Sequence, residues 1–241
     1  MLIPEVPNAA QPDKFWPISL CQTIYKVATK VLIRRLHPLL LSLVSPEQGA
    51  FVPGRSISHH CFHAQEIMHK FKVSTARSGF MAIKIDMDQA YDKMAWGTLQ
   101  QVLQLLGLPA WFINWVLQCV MHPRFALLLN GKQTSWIEAT CGFRQGCPLS
   151  PYAFILCSEL LSYALQLKGD SIDISLSLAG PRISHLLYAN DILLVGDASS
   201  TIIRAIWSTL AHLAFSVSRR CFTWGLSSPC GISGRRTSPT S

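Results

Sequence analysis

The chain has 241 residues, of which 49% are hydrophobic and 14% are charged. This balance excludes an intrinsically disordered chain and allows one globular domain, of one or two lobes, with a sizeable core. Lysine and arginine number 21 against 13 acidic residues, which gives a formal net charge of +8. The excess favours a polyanionic partner, with nucleic acid as the first candidate, but a merely soluble basic protein fits the charge equally well.

Eight cysteines are spread along the chain without a CxxC pair, mostly inside apolar segments. This pattern indicates reduced, buried thiols of a cytosolic or nuclear protein. The N-terminus does not have the pattern of a signal peptide, and the longest apolar run, Leu39 to Val44 around Ser42, is far too short to cross a bilayer. We therefore expect a soluble intracellular protein that has no membrane partner.

The first predicted helix carries an apolar stripe and a basic stripe. Helical spacing is kept by the apolar residues Ile24, Val27, Ala28, Val31, Leu32, Leu36 and Leu39. Lys26, Lys30 and Arg34 recur every four residues on another face. The basic stripe is either an ordinary solvated face or a contact surface for a phosphate backbone.

A polar loop follows at residues 48–56, with Pro53, Gly54 and Arg55 at its tip. Backbone amides and one guanidinium at a loop tip are suited to phosphate contact. Arg55 is therefore a candidate phosphate ligand.

Residues Phe80 to Asp86 alternate between apolar and polar side chains, which predicts a half-buried strand that ends at Asp86. Asp88 and Asp92 follow closely, with Tyr91 between them. These two aspartates are functional carboxylates or, more simply, a turn cap and a surface charge. Two apolar stripes then predict core helices, one with Leu99, Val102, Leu103 and Leu106 and one with Phe112, Trp115, Val116, Cys119 and Val120.

A hairpin is predicted around Asn130-Gly131, the dipeptide best suited to a tight turn because both positions tolerate positive φ. Its strands would be residues 124–129 and 135–140. After it, Arg144 and Gln145 stand between two glycines, and Ser150 as N-cap with Pro151 at the first helical position opens a helix. A glycine-bracketed loop at a helix N-terminus is a plausible nucleotide or template contact.

A second hairpin is predicted over residues 186–195, where a short polar turn separates two apolar strands. The turn contains Tyr188, Ala189, Asn190 and Asp191. Such a tip lies at the edge of a sheet, where its carboxylate can hold a metal ion.

The order of these motifs resembles the palm of a reverse transcriptase. The ordered parts are the strand ending in Asp86, then Tyr91, the Arg144-Gln145-Gly146 loop with Pro148-Leu149-Ser150-Pro151, and the Tyr188 hairpin. Among these enzymes the chain is most similar to those of the non-LTR (LINE-type) retrotransposons common in plants. The similarity extends upstream through Pro17-Ile18-Ser19-Leu20, Tyr25-Lys26 and residues 48–55, and it covers about residues 1–200.

The resemblance implies an α+β right-hand polymerase fold with an antiparallel palm sheet. Residues 1–79 would be part of the fingers and residues 80–214 the palm, with the thumb missing. Residues 215–241, rich in serine and arginine, are expected to form a disordered tail.

The implied chemistry is RNA-directed DNA synthesis with two Mg²⁺ ions, which carboxylates from distant parts of the chain must bring together. By resemblance, Asp86 and Asp191 are catalytic residues and metal ligands. Asn190 stands where the family has a further catalytic aspartate, so the site has one negative charge fewer. If this change removes about 4 kcal/mol of transition-state stabilisation, the rate falls on the order of a thousandfold.

The implied substrates are an RNA template, a DNA primer and deoxynucleoside triphosphates. Tyr91 would be the steric gate that excludes a ribose 2′-hydroxyl, and Gln145 with Gly146 would lie near the incoming nucleotide and template. Arg55 and Lys30 would contact triphosphate or template from the fingers.

Two further positions depart from the family pattern: Cys147 follows Arg-Gln-Gly where plant elements often have aspartate, and Trp16 replaces the arginine usual before Pro17-Ile18. We therefore expect a weakly active or inactive reverse transcriptase domain derived from a retroelement. The alternatives are a nucleic-acid-binding remnant without catalysis, a functionless pseudogene product, and an unrelated metal-dependent hydrolase that uses Asp86 and Asp191.

Overall fold

The computed structural model describes residues 2–8, 10–11, 14–75, 79–87, 89–129, 131–167, 174–175, 182–216 and 222–225. Its helices are α1 (Thr23–Leu36), α2 (Leu40–Leu43), α3 (Ile57–Val73), α4 (Trp96–Leu105), α5 (Ala110–Val120), α6 (Ser150–Gln166) and α7 (Ser200–Ser216), with a 3-10 helix at His37–Leu39. Its strands are β1 (Leu2–Pro4), β2 (Phe15–Pro17), β3 (Phe80–Met87), β4 (Arg124–Phe125), β5 (Leu128–Leu129), β6 (Lys132–Gln133), β7 (Ile137–Glu138), β8 (Ile174–Ser175), β9 (Arg182–Ile183), β10 (His185–Tyr188), β11 (Asp191–Asp197) and β12 (Phe222–Gly225). Within these residues, no helix is long and apolar enough to span a membrane.

The central sheet has the strand order β10-β11-β3-β12, and every neighbouring pair is antiparallel. The register of β11 on β3 runs from Asp191 opposite Asp86 to Asp197 opposite Phe80. The alternation predicted for β3 is confirmed, because Ile85 is fully buried while Lys84 and Asp86 are exposed. The antiparallel palm sheet expected from the sequence is therefore present.

The two faces of this sheet pack against different clusters. On one face, Ile85 and Leu194 join the main core, which also holds Leu99 and Phe154 from α4 and α6. On the other face, a smaller cluster around Ile67 of α3 covers the sheet at Ala82 and Val195. On this second face Phe80 and Ala82 pack against the cluster while Lys84 and Asp86 are exposed, so the face is apolar at the Phe80 end of β3 and polar at the Asp86 end.

The main core crosses the predicted boundary between fingers and palm. Leu32, Leu36 and Leu40, from the first 79 residues, belong to the same buried cluster as Leu99 and Leu156. Full burial of a leucine or phenylalanine side chain contributes roughly 1.5–3 kcal/mol relative to exposure, so this shared cluster ties the two segments together. The boundary at residue 79 stays a prediction.

The apolar stripe of α1 differs from the expectation. The buried residues of α1 are Thr29, Leu32 and Leu36, whereas Ile24 is 83% exposed and Val27 is 57% exposed. The packed face is the one that meets α5, and the threonine tolerates burial because its hydroxyl donates to the Tyr25 and Lys26 carbonyls. Helical spacing therefore identified the helix and the burial of Leu32 and Leu36, but it wrongly assigned Ile24 and Val27 to the buried face.

The hairpin expected at Asn130-Gly131 is confirmed. Leu128 pairs with Gln133 and Leu129 with Lys132, and β4 pairs with β7 further out. Gly131 has a φ of +79°, as the tight turn requires. Asn130 itself lies outside the described residues.

The start of α6 needs a correction. Leu149 is the N-cap and Ser150 is the first helical residue, so Ser150 does not cap this helix. Its hydroxyl instead donates to the Arg144 carbonyl at 2.7 Å, which ties the helix to the preceding loop.

The tail predicted for residues 215–241 also differs in part, because α7 reaches Ser216 and β12 pairs with β3. The free edge of β3 offers unpaired backbone N–H and C=O groups, to which any extended segment can bond whatever its composition. The rest of the tail lies outside the described residues.

Candidate active site

The hairpin predicted over residues 186–195 is formed by β10 and β11, with Ala189 and Asn190 as its turn. Ala189 has a φ of +54°, a left-handed conformation that is uncommon for a residue with a Cβ. The turn places Asp191 at the first position of β11, directly opposite Asp86, which is one residue before the end of β3. Side chains opposite each other in an antiparallel pair share a face, with their Cβ atoms about 4.5–5.5 Å apart.

Lys84, Asp86, Asn190 and Asp191 form the hairpin-tip cluster at this edge. The Asn190 side-chain amide donates to Asp86 Oδ1 at 2.9 Å. Lys84 Nζ lies 3.1 Å from Asp191 Oδ1 in an ion pair whose side chains are 65% and 51% exposed. Each carboxylate is therefore already paired, one with a neutral donor and one with a cation.

The cluster is poor in negative charge for a metal site. Two carboxylates and one ammonium leave a net charge of −1 among its side chains. Within the described part of the chain, no group of three or more His, Cys, Asp or Glu residues could hold a metal ion. Asp88 lies outside that part. The chemical type of the available ligands still suits Mg²⁺, which binds carboxylate and amide oxygens.

A cleft of about 670 Å³ opens beside the cluster. Asp86, Asn190, Tyr91, Gln145 and Gly146 all line it, so the structure brings together most of the residues singled out in the sequence. Asp191 and Lys84 are not among the described residues that line this cleft. The cleft is open enough to admit a solute next to Asp86.

Tyr91 forms one wall of the cleft. Its ring stacks on Phe154 with centroids 4.8 Å apart and planes 16° from parallel. Burial raises the pKa of the Tyr91 hydroxyl to about 12, so the phenol stays protonated at neutral pH. A rigid aromatic ring next to Asp86 has the shape that a steric gate requires, although this role stays a prediction.

Gln145 is held in place by Asp92. Its Nε2 donates to Asp92 Oδ2 at 2.9 Å, and both side chains line the cleft. Burial raises the pKa of the Asp92 carboxyl, while the bond from Gln145 and the charge of Lys93 lower it. Asp92 is thus neither a simple turn cap nor a surface charge, and its place one residue after Tyr91 is the only signal of this contact in the sequence.

Gly146 allows a close approach of two loops. It has a φ of +91°, and a Cβ there would lie 2.8 Å from the Ser19 carbonyl oxygen. The neighbouring Gln145 carbonyl accepts a hydrogen bond from Ser19 N–H at 2.8 Å. The loop predicted from the glycine bracket thus packs its backbone on residues 18–20, and Trp16 from the same segment lines the cleft.

The Arg144 side chain makes its contacts with other residues of the protein. Its guanidinium stacks over the Tyr25 ring at 4.3 Å and donates to the Cys119 carbonyl at 3.0 Å. The Tyr25 hydroxyl reaches the same carbonyl and also lies 3.2 Å from Cys147 Sγ. Burial raises the pKa of Tyr25 well above its usual range. Cys147 therefore sits in a packed contact with the first helix.

Arg55 and Lys30 lie outside this arrangement. The Arg55 guanidinium donates to the backbone carbonyls of Val44, Ser45 and Gln48, so its terminal nitrogens already have partners. Lys30 is exposed on α1. Neither is among the described residues that line the cleft, and their predicted nucleotide contacts stay predictions.

Comparison with known proteins identifies the family of the chain and its fold. The family model described as "Reverse transcriptase (RNA-dependent DNA polymerase)" matches residues 6–222. The transposon TX1 uncharacterized 149 kDa protein of Xenopus laevis is 26% identical over 216 residues, which are 89% of this chain and 16% of that protein. The type-2 retrotransposable element R2DM polyprotein of Drosophila melanogaster is 22% identical over 231 residues, or 94% of this chain and 21% of its own length. The chain thus spans a minor part of these relatives.

A shorter match has the higher identity: an uncharacterized mitochondrial protein of Arabidopsis thaliana is 43% identical over 75 residues, covering 30% of this chain and 62% of that protein. Among solved structures, apo telomerase from Candida tropicalis, truncated from its C-terminal domain, aligns with a TM-score of 0.58 at 14% identity, over 88% of this chain and 42% of that one. Telomerase from Candida albicans, in complex with a fragment of telomeric RNA, aligns with a TM-score of 0.55 at 12% identity, over 83% of this chain and 35% of that one. These likenesses show a polymerase fold.

Proposed function

We propose, on the premise that this chain belongs to the reverse transcriptase (RNA-dependent DNA polymerase) family, that its palm is a polymerase site weakened at the hairpin tip. The domain is similar to the reverse transcriptases of non-LTR retrotransposons. The match to an Arabidopsis thaliana protein supports an origin in a plant element. The observation that carries the proposal is Asp86 opposite Asp191 with the Asn190 amide bonded to Asp86.

The proposed substrates follow from the family and from the cleft. An RNA template and a DNA primer with a deoxynucleoside triphosphate would meet at Asp86, with Tyr91 against the sugar and Gln145 against the incoming base. The telomerase neighbour solved with telomeric RNA supports a nucleic-acid partner. Asp92 would keep the Gln145 amide aimed into the cleft, since it accepts one of that amide's hydrogens.

Reverse transcriptases generally use Mg²⁺, and the residues present fit one such ion better than two. Asp86 and Asp191 would hold the ion, with the Asn190 carbonyl as a neutral ligand. When bound, the ion would activate the primer 3′-hydroxyl and stabilise charge on the triphosphate. Lys84 already neutralises Asp191 through Oδ1, so a metal ion bound by that carboxylate would have to share it with the ammonium or displace it.

A homopolymer template-primer extension assay with Mg²⁺ or Mn²⁺ tests the proposal. Asn190→Asp is compared with the unmodified chain and with Asn114→Asp, which adds the same charge at an exposed position of α5. We expect Asn190→Asp to extend primers on the order of a thousandfold faster than the other two. Equal extension by all three proteins would mean that position 190 takes no part in catalysis.

A nucleic-acid-binding role without catalysis is the second candidate. It is favoured by the exposed side chains of Lys26, Lys30 and Arg34 on α1, together with the net charge of +8. Filter binding of a template-primer duplex at several salt concentrations tests it, since each phosphate contact adds about 0.9 to the slope of log affinity against log salt. Replacing these three residues with glutamine should flatten the slope by roughly 2–3. An unchanged slope would remove this face from the binding surface.

A further inference from the structure

The side chain of Gln48 lies fully buried between the hairpin turn and α6. Its Oε1 accepts hydrogen bonds from Ala189 N–H at 3.1 Å and from Ala50 N–H at 3.0 Å. Its Nε2 donates to Ser158 Oγ at 3.2 Å. One buried amide therefore joins the polar loop, the turn of the hairpin and helix α6.

Backbone contacts hold the same loop along the edge of β10. Leu187 N–H donates to the Glu47 carbonyl at 2.8 Å, and Gly49 N–H donates to the Leu187 carbonyl at 2.8 Å. Gln48 and Leu187 thus form an isolated parallel bridge at the outer edge of the sheet. The loop is built onto the hairpin just before its turn.

Several groups keep this loop in one conformation. Arg55 donates to the carbonyls of Val44, Ser45 and Gln48, and buried Glu159 accepts from Ser45 N–H at 2.9 Å. His60 Nε2 lies 2.8 Å from the Glu47 carbonyl oxygen. Any other conformation of the loop would leave some of these polar groups buried without a partner, which costs free energy. We therefore expect the loop to be rigid.

The turn that Gln48 touches is under strain. The left-handed conformation is unfavourable for a residue other than glycine, and Ala189 has no side-chain polar group with which to offset that cost. The bond from Ala189 N–H to Gln48 is therefore a specific contact that favours this conformation. Asn190 and Asp191 follow directly, so their direction depends on Ala189.

We propose that Gln48 is a positioning residue for the hairpin-tip cluster, holding Ala189 in its left-handed conformation so that Asn190 and Asp191 face Asp86. The loop of residues 44–55, fixed by Arg55, carries this restraint from the segment before α3 to the palm. This inference deepens the proposed function and rests on it. It also gives Arg55 a role within the protein, through the loop that it holds.

Two readouts on the full chain test the proposal, the first being amide hydrogen exchange at Ala189. Gln48→Met removes both acceptor bonds at similar volume, Gln48→Glu keeps the acceptor, and Ser158→Ala removes only the Nε2 partner. We expect exchange at Ala189 to accelerate at least about tenfold in Gln48→Met, with Ile85 and Leu194 unchanged. Gln48→Glu should restore most of the protection, and Ser158→Ala should leave it near the original rate.

The second readout is Mn²⁺ affinity by calorimetry, which should fall several-fold in Gln48→Met and recover in Gln48→Glu. Unchanged exchange at Ala189 in Gln48→Met would overturn the positioning role, as would an equal effect of Ser158→Ala. If Gln48→Met does not fold, failure of Gln48→Glu to protect Ala189 would overturn it. Absence of Mn²⁺ binding by every form would contradict the proposed function, while exchange at Ala189 would still decide the role of Gln48.

Discussion

Asn190 donates its side-chain amide hydrogen to Asp86 across the tip of the hairpin, at a distance of 2.9 Å. An aspartate at position 190 could not make this bond when ionised, because a carboxylate is only an acceptor. Position 190 therefore offers two opposed arrangements: a neutral amide bonded to the Asp86 carboxylate, or a second carboxylate that needs a cation between it and Asp86.

The first prediction concerns the charge at position 190. Asn190→Asp should bind Mn²⁺ at least about tenfold more tightly than the unmodified chain, because a divalent ion gains an anionic ligand where it now has a neutral one. Titration calorimetry measures the difference, and Asn114→Asp is the control for added charge. Equal affinity in both proteins would place position 190 outside a metal site.

The second prediction concerns the cation beside Asp191. Lys84→Met should raise Mn²⁺ affinity several-fold, since it removes a positive charge 3.1 Å from a carboxylate oxygen. The pair is more than half exposed on both sides, so the free energy of unfolding should change by less than about 1 kcal/mol. Lys132→Met is the matched control, because Lys132 is also exposed and lies in the separate β5–β6 hairpin. A loss of Mn²⁺ affinity in Lys84→Met would show that the lysine supports the site.

The third prediction concerns the glycine at the back of the cleft. Gly146→Ala should lower the free energy of unfolding by about 1–3 kcal/mol, because its φ is +91° and the new Cβ would meet the Ser19 carbonyl at 2.8 Å. Gly97→Ala in α4 is the control, since nothing lies within 4 Å of a Cβ there. Urea denaturation should show that control to be neutral or slightly more stable. Equal stability of both variants would contradict the close approach of the two loops.

The fourth prediction is a pH dependence of stability from His185. This ring is buried between Ser184 Oγ at 2.8 Å and Ser162 Oγ at 3.1 Å. Burial lowers its pKa from 6.5 to about 4, so the fold favours the neutral ring. The neutral buried ring therefore contributes to the free energy of unfolding above pH 6.5. This contribution is lost as the pH falls toward 4, with a limit of about 3 kcal/mol.

His185→Gln keeps a polar group but cannot titrate, so it provides the comparison for this effect. The difference in unfolding free energy between the two proteins should narrow or reverse between pH 6.5 and 4, as measured by urea denaturation at each pH. Using the difference removes the contribution of groups common to both, such as Glu159, whose raised pKa acts in the opposite direction. A constant difference across this range would refute a neutral buried ring.

Local patterns predicted the strands and turns of the site well. β3 was identified by the alternation along Phe80 to Asp86, and the hairpin by the polar turn after Tyr188. Both signals depend only on residues that are adjacent in the sequence. The pairing of Asp86 with Asp191 came from the family resemblance, since no local rule joins residues so far apart in the chain.

Other contacts could not be read from the sequence. The sequence around Arg55 would look the same whether its guanidinium bound a phosphate or backbone carbonyls. The carbonyls are its partners because residues 44–48 fold back beside it. Ile24 and Val27 have helical spacing, yet the face that α1 buries depends on where α5 lies. Helical spacing predicts an apolar face, but the position of the neighbouring helix determines which residues of that face are buried.

The pairing of β3 with β11 also has a consequence for the order in which the protein folds. Asp86 and Asn190 are 104 residues apart, and β3 has both β11 and β12 as its sheet neighbours, each later in the chain. During synthesis β3 would therefore wait without a sheet partner until residues 191–197 emerge. Distant pairings of this kind form slowly, because a long loop must close before any contact compensates for the lost chain entropy. The pairing of the strands that carry the candidate chemistry is thus expected to limit the rate of folding. A ribosome stalled before residue 191 would hold a chain in which the edges of β3 are unpaired and prone to aggregation.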